Sequence, residues 1–296
     1  MNLQELGEER LLQQILPQLP QTRAVVAGAG DDCAVAKFGG GENSLLLLKT
    51  DCVVEGVHFE SGARAAAVGW KAMARPLSDF AAMAGVPQFA LVTLLAPPTT
   101  SGAWVMGVYR GLTKAARAFD VAIVGGETSG TDGPVVISVS LTGVVEAKRW
   151  ISRRGGKAGD ALFVTGRLGG SIRGKHLRFM PRIREAGWLA QNFAVHAMMD
   201  LSDGLGADLP RLAAASRVGF ELDEAAIPRT RGCSLAQAIS DGEDYELLFA
   251  LAPEEAVSLQ KKWSRRFPRL ALTRIGRFVR EMKGQGEKLK GYVHFQ

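Results

Sequence analysis

Residues 134–145, PVVISVSLTGVV, alternate apolar side chains with small or hydroxyl-bearing ones. A period of two over that length predicts a strand of an antiparallel sheet with one buried face. Strand-like runs also stand at 44–54 (SLLLLKTDCVV), 89–97 (FALVTLLAP) and 121–128 (VAIVGGET), the last running into a glycine turn. Between them the pattern becomes helical, at 63–74, 77–85 and 101–120, with Ser101 as the expected N-cap of the third. Pro76 lies between the first two, so a break is expected at Arg75. After a charged loop near 153–160 the style repeats: strand-like ALFVTG, helical 208–215, then strand-like VGFEL and YELLFAL. Neither low complexity nor an obvious internal repeat interrupts this order. The reading is an α/β chain with mixed sheets, divided into an N-terminal domain at 1–147 and a C-terminal domain at 148–296.

The length of 296 residues allows two buried cores, and 47% hydrophobic with 22% charged residues is an ordinary folded composition. The formal charge of +6 raises nucleic-acid binding as a possibility. The basic residues cluster in 149–185 and 261–290, spaced by turn and apolar positions. No zinc-finger spacing, basic zipper or aromatic-rich RNA-binding signature accompanies them. A solvated basic face, or attraction for phosphorylated small molecules, suits this pattern better, and no nucleic-acid partner is expected. The apolar runs stop at Lys49 and at Pro97, short of a membrane span, so no membrane partner is expected either. The start, MNLQELGEERLLQQIL, is acidic and helix-patterned, without the basic flank and apolar stretch of a signal peptide. Three cysteines without a CxxC read as reduced thiols. A cytoplasmic protein is expected.

The chemistry lies in the acids. They recur beside glycine or at strand ends: Asp31 and Asp32 in AGDDCAV, Asp51, Glu55 and His58 in KTDCVVEGVHF, Asp79 in PLSDFAAM, and Glu127 in VGGETSG. Asp200 and Asp203 follow in MMDLSDGL, and Asp241, Glu243, Asp244 and Glu246 in SDGEDYELLF. Each has a plain structural alternative, Asp203 as a helix N-cap among them. Their repetition at strand-to-loop junctions points to a site. Hard oxygen ligands without grouped His or Cys favour Mg²⁺, which is usually shared with phosphate oxygens and so implies a nucleotide or polyphosphate substrate. Glycine turns at Gly125–Gly126 and Gly169–Gly170 offer backbone amides to phosphates. No GxGxxG follows a first strand and no GxxxxGK[ST] is present, so a Rossmann or P-loop site is unsupported.

Assembled in order, GDDCAV, TDCVVEGVHF, WKAMARPLSDFAAMAG, VGGET, RRGGKAGDALFVTG, MDLSDGL, GEDYELLF and GYVHF resemble the thiamine-monophosphate kinases, within the ATP-binding superfamily that includes aminoimidazole ribonucleotide synthetase. The resemblance runs from residue 30 onward. It implies a two-domain aminoimidazole ribonucleotide synthetase-like fold, a homodimer paired through the β-sheet of the first domains, and ATP-dependent phosphorylation of thiamine phosphate with several Mg²⁺ ions. Carried over by position, Asp32, Thr50, Asp51, Asp79, Glu127, Asp200 and Asp203 would hold metal. Gly126, Arg153 and Ser202 would contact ATP, and His58, Glu243 and Tyr292 would face thiamine phosphate. The acceptor oxygen is ionised near neutral pH, so direct in-line transfer is expected, with His58 positioning the acceptor phosphate and no acid–base residue required.

Three positions depart from the family pattern. Glu127 stands where Asp is usual. Lys49 stands where a small hydroxyl residue often precedes the Thr-Asp pair. The segment LGGSIRGKHLRFMPRI (168–183) lacks much of the helical insertion usual there. Related activities fit less well: the TGGG turn of the synthetase is missing, Cys33 lacks the glycine-rich setting of a selenophosphate synthetase, and HFQ replaces the terminal cysteine of a hydrogenase-maturation relative. A nucleotide-binding regulatory protein without turnover is the reading outside enzymes.

Overall fold

The computed structural model describes residues 2–39 and 43–280. Two short helices, α1 (Leu3–Leu6) and α2 (Glu8–Ile15), lead into a six-stranded sheet. Its strands are β1 (Val25–Ala27), β2 (Ala34–Ala36), β3 (Ser44–Val54), β4 (Val86–Ala96), β5 (Ala122–Gly130) and β6 (Val136–Glu146), in the spatial order β1-β2-β3-β6-β4-β5. All pairings are antiparallel except β4 with β5. That parallel pair needs a crossover, and α4 (Gly102–Ala118) supplies it, with Ser101 accepting from the Trp104 amide at its start.

Leu45, Leu47, Ile137, Val139 and Leu141 point from the sheet into one core with α4 and with α3 (Ala65–Ala82). The two helices approach closely because each carries glycine at the crossing. A Cβ on Gly69 would lie 1.9 Å from the Val108 carbonyl oxygen, and one on Gly111 2.1 Å from that of Ala66. The opposite face of the sheet leaves Leu48, Phe89 and Leu91 exposed.

α3 corrects the expected break at Arg75, since it runs unbroken through Pro76. A proline inside a helix costs about 3 kcal/mol. Met73, Leu77 and Phe80, all fully buried, offset this at roughly 1.5–3 kcal/mol each. Packing on both sides therefore overrides the local rule.

The second sheet comprises β7 (Ala161–Thr165), β8 (Val195–Asp200), β9 (Gly219–Leu222), β10 (Leu247–Leu251) and β11 (Leu272–Val279), in the order β8-β10-β7-β11-β9, antiparallel throughout. α6 (Leu205–Ser216) and α7 (Leu235–Ser240) cover one face, α5 (Ile183–Asn192) and α8 (Ala256–Arg266) the other. Every residue of β7 and β10 is buried, so those strands read as continuous apolar runs rather than alternating ones. No helix of the described residues is long and apolar enough to cross a membrane.

α3 belongs to both halves. One flank packs on the first sheet, while Ala81 joins the core under β7 and β10. Its Trp70 indole donates to the Phe179 carbonyl at 2.8 Å.

Candidate active site

Two chain segments converge on α3. The turn before β2 carries Asp32, α3 carries Ser78 and Asp79, and β8 ends at Asp200. One carboxylate oxygen from each of Asp32, Asp79 and Asp200 lies within 4.8 Å of the others, and all three residues are buried. Arg153 grips Asp32 bidentately, at 3.1 and 2.6 Å. The Ser78 hydroxyl donates to Asp200 at 2.5 Å, and Lys49 Nζ donates to Asp79 Oδ1 at 2.8 Å. Asp51 stands alongside on β3, 3.9 Å from Lys49 Nζ and 3.8 Å from an Arg75 nitrogen.

Like charges in a dry setting resist ionisation. Burial, with the charge of Asp32 added, pushes the Asp200 carboxyl up to about 7. Burial pushes Asp79 well above the usual carboxylate range in spite of Lys49. Burial alone would lower the Lys49 ammonium, but Asp79 and Asp51 outweigh it and push it up. Oxygen donors, no grouped His or Cys, and negative charge beyond what neighbouring side chains neutralise make a donor set that fits a hard divalent cation such as Mg²⁺ or Mn²⁺.

Past Arg75, Ser202 and Asp203 a cleft of about 430 Å³ opens, lined also by Val57, His58, Glu243 and Tyr245. Two amides lace residues 243–245 onto the turn after β8, Glu243 N to Ser202 O at 2.6 Å and Tyr245 N to Leu201 O at 2.8 Å. Glu243 (φ 63°) and Tyr245 (φ 49°) hold left-handed backbone there, a strained conformation for residues with side chains. Tyr245 stacks on Phe179, ring centroids 3.9 Å apart.

Lys71 is the hub of this end. Its fully buried ammonium donates to Glu243 at 2.6–2.7 Å and to the His58 carbonyl at 2.6 Å, and lies 2.9 Å from His176 Nδ1. Burial outweighs Glu243 and lowers Lys71 to about 8. Burial would raise Glu243, but its His176 hydrogen bond and Lys71 outweigh that and hold it at about 2. His58 Nδ1 accepts the Val54 amide at 3.1 Å, which leaves the proton of the neutral ring on Nε2.

Other expected residues fall elsewhere. Thr50 alternates to the open face of β3, where its hydroxyl meets Ser140 at 3.2 Å. Glu127 is exposed on β5, accepting its neighbour Thr128's amide at 2.9 Å. Gly126 lies next to it, where a Cβ would come 1.8 Å from the Val92 carbonyl oxygen, so only glycine fits. Asp203 does not cap α6: Gly204 occupies that position without a side-chain cap, and the Asp203 carboxylate goes to Arg211. The Gly169 and Gly170 amides are already bonded to Asp244 and Asp241, both at 2.8 Å, and so are not open to phosphate. Tyr292 lies outside the described residues. Lys71, Ser78, Arg75 and His176 also belong to the site, although the acid pattern of the sequence does not point to them. For Lys71 a signal existed, a cation embedded in the apolar, small-residue helix AAAVGWKAMA.

Two family models account for the chain: AIR synthase related protein, N-terminal domain, over residues 30–145, and AIR synthase related protein, C-terminal domain, over residues 131–287. The fold is that of an AIR synthase-related protein. A thiamine-monophosphate kinase of Rhodopirellula baltica is 42% identical over 88% of this chain and 85% of its own length. That of Aquifex aeolicus is 34% identical across 100% of both. The structure described as AaThiL complexed with AMPPCP and TMP superposes with a TM-score of 0.84 at 32% identity, covering 99% of each chain. The chain belongs to the thiamine-monophosphate kinase family.

Proposed function

We propose that this chain transfers the terminal phosphoryl group of ATP to thiamine phosphate, giving thiamine diphosphate. The observation that carries the reading is the buried Asp32–Asp79–Asp200 nest beside a cleft lined by His58 and Glu243. A solved relative whose complex holds AMPPCP, an ATP analogue, together with TMP supports it. Asp32, Asp51, Asp79, Asp200 and Asp203 would hold Mg²⁺, whereas Thr50 and Glu127 lie on other faces of the sheet, away from the nest. When bound, the ions neutralise charge on the ATP phosphates.

The chain's own groups do the positioning. Arg153, Ser202 and the glycine backbone at Gly126 hold ATP. His58, its Nδ1 held by the Val54 amide, positions the acceptor phosphate, and Glu243, Lys71 and His176 brace the cleft wall. The acceptor oxygen needs no strong base, so transfer is direct and in line. On this reading residues 1–147 carry most of the metal ligands, and residues 148–296 complete the ATP and acceptor sites. Leu48, Phe89 and Leu91 on the open sheet face make a homodimer surface, checked by light scattering at micromolar concentration. Free Cys33, Cys52 and Cys233 suit a reducing cytoplasm.

Coupled ADP release tests the activity. Turnover is expected with thiamine phosphate and Mg²⁺, and not with unphosphorylated thiamine. ATP binding without turnover on any phosphate acceptor would replace the kinase with a nucleotide-binding regulator. Label trapped on the protein from labelled ATP alone would rule out direct transfer.

A further inference from the structure

We propose that the Lys49 ammonium permanently fills one cation position of the carboxylate nest, so that this chain works with one divalent ion fewer than it would with serine or threonine there. The inference rests on the reading of the nest as the metal site.

Three observations carry it. Lys49 lies on the same face of β3 as Asp51, and its Nζ reaches across to α3, standing between Asp79 at 2.8 Å and Asp51 at 3.9 Å. A Mg²⁺ ion bonds oxygen at about 2.0–2.1 Å. An ion approaching Asp79 Oδ1 from that side would therefore overlap the ammonium, and the two cations would repel. The second observation is charge. Asp32, Asp51, Asp79 and Asp200 bring four carboxylates, and Arg153, Lys49 and Arg75 already stand against three of them. The nest is thus part-neutralised before metal arrives. The third is chemistry. An ammonium offers three donors and one positive charge, so it can bridge two carboxylates as a small cation does, but it cannot accept phosphate oxygens as ligands. Lys49 engages only Oδ1 of Asp79, and one oxygen each of Asp32, Asp79 and Asp200 lies within 4.8 Å of the others, so the three-carboxylate group is retained for metal.

Lys49 is therefore a positioning residue, set to fix Asp79 while removing one exchangeable ion. Mn²⁺, which is visible by anomalous scattering and by electron paramagnetic resonance, supplies the test. The wild type and Lys49→Ser are each saturated with Mn²⁺ and AMPPCP, the ions per protomer counted in solution, and crystals examined for anomalous peaks. Lys49→Ser is expected to bind one more Mn²⁺ than the wild type, with the added peak on Asp79 in the space vacated by Nζ. It should also melt lower than the wild type in EDTA and regain more on Mn²⁺ addition. Equal counts would overturn the proposal while leaving the metal reading in place. Should the variant not fold, the wild-type crystal decides: Mn²⁺ bonded to Asp79 from the Lys49 side, with the lysine displaced, refutes it, and an intact Lys49–Asp79 pair beside bound Mn²⁺ supports it. Mn²⁺ absent from the nest in both proteins overturns the proposal and the metal reading together.

Discussion

Asp244 and Glu246 are buried as deeply as Asp79 and Asp200, yet the two pairs are surrounded differently. Glu246 receives two nitrogens of Arg182 at 2.8 Å each, the Thr165 hydroxyl at 2.9 Å and Lys175 at 3.2 Å. Asp244 receives the Gly169 amide at 2.8 Å and the Ser171 hydroxyl at 2.7 Å. Asp200, by contrast, has one hydroxyl donor and the like charge of Asp32 nearby. A buried charge ringed by protein donors is part of the scaffold. One left short of donors among other acids keeps its capacity for a cation.

Breaking the satisfied group should have the largest effect. Glu246→Gln removes the buried carboxylate that pairs with the half-buried Arg182 and is expected to cost about 3–5 kcal/mol of stability, read from urea unfolding. A loss under 1 kcal/mol would erase the contrast. Asp200→Asn should do the reverse. Its kcat/KM should fall by about 10²–10³, the scale of losing one electrostatic stabiliser, while its unfolding midpoint in EDTA holds or rises.

A pH series in EDTA sharpens the same point. The folded Asp200 titrates near 7, above its unfolded value, so between those values the folded state binds the extra proton. Metal-free stability should therefore increase as pH falls from about 8 toward 5, by up to roughly 1.4 kcal/mol per pH unit for one proton. Saturating Mg²⁺ should flatten the slope, and a slope of opposite sign would contradict the reading. The smallest change concerns the cleft. His58→Asn should raise KM for thiamine phosphate about tenfold, near 1.5 kcal/mol for one hydrogen bond to a charged group, with kcat largely kept. A collapse of kcat at constant KM would make His58 a base instead.

The sequence carried the acids but not their surroundings. Alternation along β6 and the Ser101 cap were readable because both are local signals. Pro76 misled because α3 is held by two cores that only the tertiary fold brings together. The stretch SDGEDYELLF shows the limit at the site. It holds four acids of similar appearance, yet Glu243 faces the cleft while Asp244 and Glu246 are locked into the scaffold by Ser171, Lys175 and Arg182. Those donors come from the 168–183 segment, more than sixty residues upstream, and no spacing rule connects them. Asp32 and Asp200 converge across an even longer separation, which the ordered motif set made visible only through resemblance.

The unbroken α3 also sets what kinds of change its gene can tolerate. Lys71 and Asp79, at the two ends of the chemistry, are eight residues apart on one helix, about 12 Å at 1.5 Å per residue. Inserting or deleting a single codon between them would turn one end by about 100° relative to the other. It would carry either Asp79 out of the carboxylate nest or Lys71 away from Glu243. Point substitutions in α3 alter one contact at a time, whereas length changes sever donor from acceptor. Insertions and deletions recovered in a library of active variants should therefore fall outside 71–79.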